Sequence, residues 1–149
     1  MRIYWSLFPL AWLYGCAVQL RNLCFDWGIL KEHSFSVPVI CIGNLTVGGT
    51  GKTPHTEYLI RLLKQQGKVA VLSRGYKRQT KGYLLADKTT IVSQIGDEPY
   101  QMKQKFPDIL VAVDENRREG IQSLMALNPY VILLDDAYQH RYVKAKLNL

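Results

Sequence analysis

The chain has 149 residues, of which 48% are hydrophobic, and its 19 basic and 12 acidic residues give a net charge of +7. This composition excludes an intrinsically disordered chain and suits a single domain with a hydrophobic core. A basic surface favours anionic partners, but no Lys/Arg run is interleaved with aromatic residues, so we favour phosphates and lipid headgroups and expect no nucleic-acid partner. The three cysteines form no C-x-x-C pair and are typical of reduced, buried thiols.

The first predicted element is an apolar helix at the amino end. Residues 3–20 contain no charged side chain, lie between Arg2 and Arg21, and are rich in aromatic residues. Such a helix would measure roughly 27 Å, against a bilayer hydrocarbon thickness of about 30 Å. An apolar stripe at helical spacing continues beyond it, at Leu20, Leu23, Cys24 and Trp27. We predict that residues 1–34 form a membrane-anchoring segment and that residues 35–149 form a separate core.

Two alternatives remain for this amino-terminal segment. It could be a helix buried in the core, or a secretory signal whose processing site is suggested by the sequence LYGC at 13–16. Tyr14 is bulky where a signal peptide has a small residue, which argues against export. The anchor is therefore the preferred interpretation.

A phosphate-binding loop is predicted directly after the first strand. The apolar run at 37–42 predicts a buried strand, which is followed by a glycine-rich turn and a helix. In that order of elements, backbone N–H groups and the helix N-terminus bind phosphate. Lys52 would reach the β- and γ-phosphates of ATP, and the Thr53 hydroxyl would ligate Mg²⁺. The predicted nucleotide-binding residues are Thr46, Val47, Gly48, Gly49, Thr50, Gly51, Lys52 and Thr53.

The motif is incomplete at one position, because Thr46 stands where the pattern G-x-x-x-x-G-K-[ST] has glycine. An ordinary glycine turn beside a surface lysine is the alternative. The strand before the turn, the Lys-Thr pair and the helix after it favour the phosphate-binding interpretation.

The rest of the chain alternates apolar strands with helices. Helices are expected after Thr53, from Gly96 to Phe106 and before Asn128, and residues 80–92 are interpreted as an irregular hairpin. The further predicted strands are 69–72, 109–113, 131–134 and a last one that begins at 146. This alternation predicts an α/β fold of the P-loop NTPase type, with a parallel sheet covered by helices on both faces. Ligands bind such sheets at the carboxyl ends of the strands.

Two pairs of carboxylates follow predicted strands or begin helices. Asp135 and Asp136 stand where a P-loop protein holds Mg²⁺, although a helix cap or a solvated acidic turn is the alternative. Asp97, next to Glu98, is a candidate general base toward an acceptor hydroxyl. The alternative for Asp97 is the N-cap of a helix, and both roles could hold at once.

Basic side chains also follow the strands. The two clusters are Arg74, Lys77 and Arg78, and Arg117 and Arg118. They could bind phosphate groups, or they could be solvated surface charges. His140, after the acidic pair, could bind substrate, orient a carboxylate or make a structural hydrogen bond.

Taken together, these residues resemble one family, the tetraacyldisaccharide 4′-kinases of lipid A biosynthesis, over essentially the whole chain. The resemblance rests on LAWLYG at 10–15, GNLTVGGTGKTP at 43–54, SRGY at 73–76, GDEP at 96–99 and LDDAYQH at 134–140. Tyr138 stands where phenylalanine is expected.

The resemblance implies a membrane-associated kinase on the cytoplasmic face of the bacterial inner membrane. Such an enzyme moves the γ-phosphoryl of ATP, with Mg²⁺, to the 4′-hydroxyl of a tetraacylated glucosamine disaccharide 1-phosphate. The resemblance also implies catalytic roles for Asp97, Lys52 and Asp136, and it implies that Thr53 and Asp135 are Mg²⁺ ligands. The implied substrate-binding residues are Tyr76, Glu98, Arg117 and His140. We expect the chain to be the amino-terminal part of a longer protein, without the carboxyl-terminal histidine that assists the base in this family.

Two other functions are alternatives to the kinase. A membrane-recruited P-loop ATPase that acts as a switch is the first, but some of those proteins carry a lysine where this chain has Val47. A module that only binds nucleotide is the second, and it would not need a base such as Asp97. The sequence indicates no protein partner.

Overall fold

The computed structural model describes residues 12, 15, 18–20, 23–24, 27, 29, 32–43, 52–135 and 142–149. The chain divides into two compact units, Met1–Glu32 and His33–Leu149. The strands in the described part of the chain are β1 (Val39–Ile42), β2 (Val69–Ser73), β3 (Leu84–Leu85), β4 (Leu110–Val113), β5 (Val131–Asp135) and β6 (Leu147–Asn148). The helices of the second unit are α1 (Lys52–Leu63), α2 (Val92–Ile95), α3 (Asp97–Lys105) and α4 (Arg117–Met125).

The second unit is built on one mostly parallel sheet with the strand order β3-β4-β2-β5-β1-β6. Strands β4, β2, β5, β1 and β6 are parallel to one another, as predicted from the continuous apolar runs. The edge strand β3 is antiparallel to β4. The prediction of a hairpin at 80–92 is therefore wrong. The extended part of this segment pairs with β4, and its last residue, Val92, begins α2.

Helices cover both faces of the sheet. Alternate residues of each strand point to opposite sides, so the strands contribute apolar side chains to both faces. Val69 and Val71 of β2 belong to one apolar cluster, and Ala70 and Leu72 belong to the other. The first cluster includes residues of α1 and α3, namely Ile60 and Met102. The second includes Ile121 and Leu124 of α4. The predicted layering of helices on both faces is confirmed.

The first unit is helical at the described positions 12, 15, 18–20 and 23–24. Its described large apolar side chains are exposed, at Trp12, Leu20, Leu23, Trp27 and Ile29. Within the part of the chain that the structure describes, no helix combines the length and the apolar character that crossing a bilayer requires. The anchor at residues 1–34 stays a prediction.

Candidate active site at the carboxyl edge of the sheet

The strand that leads into the predicted nucleotide-binding loop lies beside the acidic strand end. Strand β1, which leads into the predicted loop, pairs with β5 so that Ile42 is opposite Asp135. Helix α1 begins at Lys52, directly after the loop, with Thr53 half-buried in its first turn. This is the order of strand, loop and helix that the motif predicts. The predicted site residues 46–51, Asp136 and His140 lie outside the described residues.

Asp135 and Arg117 are both buried at this edge, at 3% and 4% exposure. Arg117 Nη1 donates to the carbonyl of Asp114 at 3.0 Å, and its Nη2 donates to the carbonyl of Asp135 at 3.0 Å. Because β2 lies between β4 and β5, this guanidinium joins two strand ends across a third. The geometry favours a positioning role for Arg117, and its predicted contact with substrate stays a prediction.

Arg117 is directed inward by the start of its helix. Asn116 is the N-cap of α4, and its Oδ1 accepts a hydrogen bond from the Arg118 amide at 3.2 Å. The backbone amide of Asn116 in turn donates to Asp114 Oδ1 at 2.9 Å. Asp114 is buried, and its other carboxylate oxygen, Oδ2, has no hydrogen-bond partner among the described atoms. Asp114 is not among the predicted site residues, although its position directly after a buried strand is a usable signal.

Asp97 and Glu98 begin α3 and are exposed. The N-cap is Gly96, and no side chain of the described residues caps the helix, so the alternative that Asp97 is the N-cap is wrong. Carboxylates in a first turn are stabilised by the partial positive charge of the helix N-terminus. The Asp97 carboxyl group is open to solvent.

Two glycines bring the segments SRGY and GDEP into contact. Gly75 and Gly96 both have positive φ values, of 70° and 89°. A Cβ atom at Gly96 would lie 2.7 Å from the Tyr76 carbonyl oxygen, and one at Gly75 would lie 2.9 Å from the Ile95 carbonyl oxygen. Only residues without a side chain permit so close an approach. The loop after β2 is thereby placed beside Asp97.

The predicted basic cluster after β2 divides into exposed and buried members. Tyr76 is 75% exposed, and the Lys77 ammonium lies 5.4 Å from the centre of its ring. Arg74 and Lys77 are also exposed and line an open hollow of about 380 Å³. The Arg78 side chain is buried and forms an ion pair with Glu115. Glu115 follows β4 and is not among the predicted site residues.

Burial changes the acidity of two groups near this edge. Burial raises the pKa of the Cys41 thiol to about 11, although the nearby Arg117 charge partly offsets the increase. Burial also raises the pKa of the Tyr83 hydroxyl, and the negative charge of Asp114 adds to that shift. Both groups therefore stay protonated at neutral pH and do not supply a base.

The family model described as tetraacyldisaccharide-1-P 4′-kinase, LpxK, matches residues 3–149. The chain belongs to this family. The resemblance inferred from the sequence is thereby confirmed.

Relatives in this kinase family are similar over nearly the whole chain. The chain is 62% identical over 147 residues to the tetraacyldisaccharide 4′-kinase of Parabacteroides distasonis and 60% identical over 152 residues to that of Bacteroides fragilis. These alignments cover 96% and 100% of this chain. The chain spans about 40% of the length of these curated relatives.

A solved member of the LpxK family has the same fold. The crystal structure described as the "apo" form of LpxK from Aquifex aeolicus in complex with ATP matches with a TM-score of 0.86 at 42% identity. The match covers 96% of this chain and 47% of that chain.

In this chain, the carboxyl edge of the sheet carries two sets of polar residues. We call Asp114, Arg117 and Asp135 the buried set, because each is almost fully enclosed. We call Tyr76, Asp97 and Glu98 the exposed set. Arg117 of the buried set donates to backbone carbonyls at strand ends, whereas the side chains of the exposed set face solvent.

Proposed function

We propose that this protein transfers the γ-phosphoryl group of ATP to the 4′-hydroxyl of a tetraacylated glucosamine disaccharide 1-phosphate. The observation that carries the proposal is the pairing of Ile42 with Asp135, in a chain of this kinase family. This register brings an acidic strand end next to the strand that leads into the glycine-rich loop. Because the chain spans about 40% of its relatives, the activity is proposed for the full-length protein.

On the nucleotide side, we propose that residues 46–51 surround the phosphates and that Lys52 binds the β- and γ-phosphates. Thr53, in the first turn of α1, and the buried carboxylate of Asp135 are oxygen donors of the kind that Mg²⁺ prefers. These two residues would hold Mg²⁺, with Asp136 beside them. When bound, Mg²⁺ neutralises negative charge on the phosphates.

On the acceptor side, we propose that Asp97 accepts the proton of the 4′-hydroxyl. The hydroxyl oxygen bonds to the γ-phosphorus as this proton leaves. The bond from that phosphorus to the bridging oxygen breaks, and ADP leaves. Exposure of Asp97 in the first turn of α3 supports this role, because a base must reach the acceptor hydroxyl. Tyr76, Glu98 and His140 are proposed to contact the disaccharide, whereas Arg117 holds the ends of two strands.

The substrate itself suggests a location at the membrane. A tetraacylated lipid leaves a bilayer at a cost of about 0.8 kcal/mol for each buried CH₂ group, so the enzyme must come to the surface. Exposed apolar side chains of the first unit, such as Trp12 and Trp27, support a surface that meets lipid. We propose that residues 1–34 associate with the cytoplasmic face of the bacterial inner membrane.

The proposal is tested by incubating full-length protein with γ-labelled ATP, Mg²⁺ and the tetraacylated disaccharide 1-phosphate in detergent micelles. We expect a bis-phosphorylated lipid with the label at the 4′ position, and none with Lys52→Ala. The exposed Lys88 provides a control, since Lys88→Ala should leave the yield unchanged. Label released only as inorganic phosphate would contradict the kinase and support a P-loop ATPase that acts as a switch.

A further inference from the structure

A charged side-chain cluster joins the loop after β2 to the loop after β4. Arg78 Nη2 lies 2.6 Å from Glu115 Oε2, and the Arg78 side chain is only 3% exposed. The same guanidinium nitrogen donates to the Gly82 carbonyl at 2.8 Å, and the Gly82 amide donates to Glu115 Oε2 at 2.9 Å. We call these three residues the Arg78–Glu115 clamp. Hydrogen bonds between charged partners are stronger than those between neutral groups, so the clamp restrains both loops.

The clamp stays charged at neutral pH. Burial alone would raise the pKa of Glu115, but hydrogen bonds from its own backbone amide, from Arg78 and from Gly82 lower that pKa overall. Glu115 is therefore an anion when Arg78 is a cation. Loss of either charge would leave the other without its partner, and for the buried guanidinium that loss is costly.

The loop held by the clamp is also bonded to the segment that carries Asp97. The Gln79 amide donates to the Ser93 carbonyl at 2.8 Å, and Thr80 Oγ1 donates to the Gln94 carbonyl at 2.5 Å. Ser93 and Gln94 belong to α2, which ends one residue before Gly96. With the close approach of Tyr76 and Gly96, these bonds connect the loop to α2 and to the first turn of α3.

We infer that the Arg78–Glu115 clamp positions the acceptor side of the active site by holding the Tyr76 backbone against Gly96 and so fixing the direction of Asp97. This inference rests on the proposed function. Arg78 and Glu115 act through their neighbours and are positioning residues, because the guanidinium is enclosed and bonded to protein groups. Arg78 differs in this from Arg74 and Lys77, which are exposed in the same loop.

The test compares Arg78→Gln and Arg78→Lys in the full-length protein with a matched ion-pair control. The control is Lys64→Gln, which removes an exposed pair with Asp108 at 3.4 Å, remote from the loop. We expect Arg78→Gln to lower kcat by about 10- to 100-fold, since small misplacements of catalytic groups have effects of that size. The Kd for ATP should change by less than about twofold, because the clamp lies on the acceptor side. Arg78→Lys should recover part of kcat, and Lys64→Gln should match the wild type.

A charge-reversed pair provides a second arm. Arg78→Glu combined with Glu115→Arg should be more active than Arg78→Glu alone, because the ion pair can form again. Normal kcat in Arg78→Gln would overturn the inference. So would a loss of ATP affinity parallel to the loss of kcat, or a reversed pair no better than the single variant.

Hydrogen exchange separates failure of this inference from failure of the proposed function. We expect the amides of Gly82, Tyr76 and Asp97 to exchange faster in Arg78→Gln than in the wild type and in Lys64→Gln. If the wild type transfers no phosphate to the disaccharide, the kinase proposal fails, and the exchange result still decides whether the clamp orders this segment. Unchanged exchange at all three amides would overturn the inference whatever the activity.

Discussion

The buried and exposed sets at the carboxyl edge of the sheet differ in what their polar atoms contact. Arg117 in the buried set donates to the backbone carbonyls of Asp114 and Asp135, which end two strands. Asp97 and Tyr76 in the exposed set face solvent and are placed by backbone contacts at Gly75 and Gly96. The difference indicates that the buried set maintains the shape of the edge, while the exposed set is available for chemistry. Substitutions in the two sets should therefore affect different measurements.

The largest effect is expected at Asp97. Asp97→Asn should lower kcat by about 10²- to 10⁴-fold, the usual contribution of a general base. The midpoint of urea unfolding should fall only slightly, because the side chain is exposed and a carboxylate in a first helical turn contributes about 0.3–1 kcal/mol. Asp108→Asn, at another exposed carboxylate, is the control for loss of charge. Normal turnover in Asp97→Asn would remove Asp97 from the mechanism.

Arg117 should affect folding stability more than any member of the exposed set. Arg117→Ala leaves two strand-end carbonyls without this donor and opens a cavity, so the free energy of unfolding should fall by about 2–4 kcal/mol. Urea denaturation of the full-length protein measures the change. Arg118→Ala is the matched control, because that exposed guanidinium contacts the His33 ring and the Tyr142 ring, and its loss should cost about 1 kcal/mol or less. Equal denaturation midpoints for Arg117→Ala and the wild type would contradict the positioning role.

Gly96 and Gly82 compare a glycine in the loop contact with a glycine whose described surroundings are open. Both have positive φ values, but a Cβ at Gly82 would meet nothing within 4 Å, whereas one at Gly96 would meet the Tyr76 carbonyl oxygen at 2.7 Å. Gly96 also has φ 89° and ψ 165°, a region that only glycine adopts readily. Gly82→Ala should cost about 1 kcal/mol, and Gly96→Ala about 2–3 kcal/mol. Equal costs in thermal unfolding would mean that the two loops are not in contact.

The smallest effect concerns the Cys41 thiol, which is buried in β1. Its pKa is raised from 9.0 to about 11, so the folded protein binds this proton more tightly than the unfolded chain does. Its contribution to stability is complete below about pH 9 and is lost as the pH rises from 9 to about 11. At pH 8, iodoacetamide should modify Cys41 only after unfolding. Modification at equal rates with and without urea, measured by mass spectrometry, would contradict this burial.

Most of the sheet could be predicted because its strands are continuous apolar runs. The runs at 69–72, 109–113 and 131–134 match β2, β4 and β5 within a residue or two. Strand β3 could not be found in this way, since it has two residues and is extended because the Ala86 amide and its neighbours bond to β4. The place of β5 between β2 and β1 depends on long-range pairing that no local pattern encodes.

The candidate site was predictable by segment and less so by residue. The motifs located the strand ends and helix starts, and family membership confirmed the combination. Adjacent side chains of the same type nevertheless have different environments: Arg117 is buried and Arg118 exposed, while Arg78 is buried and Lys77 exposed. These differences depend on which way a loop or a helix start turns its side chains. Composition and spacing do not report that direction.

The most direct test of a phosphoryl-transfer site is the affinity of the full-length protein for ATP with Mg²⁺, measured by calorimetric titration. We expect saturable binding that is lost in Lys52→Ala and kept in Asp97→Ala. The proposed site binds the nucleotide in the loop before α1, whereas Asp97 accepts the proton of the acceptor hydroxyl. Absence of ATP binding by the intact protein, or equal binding by Lys52→Ala, would contradict a phosphoryl-transfer site at this edge of the sheet.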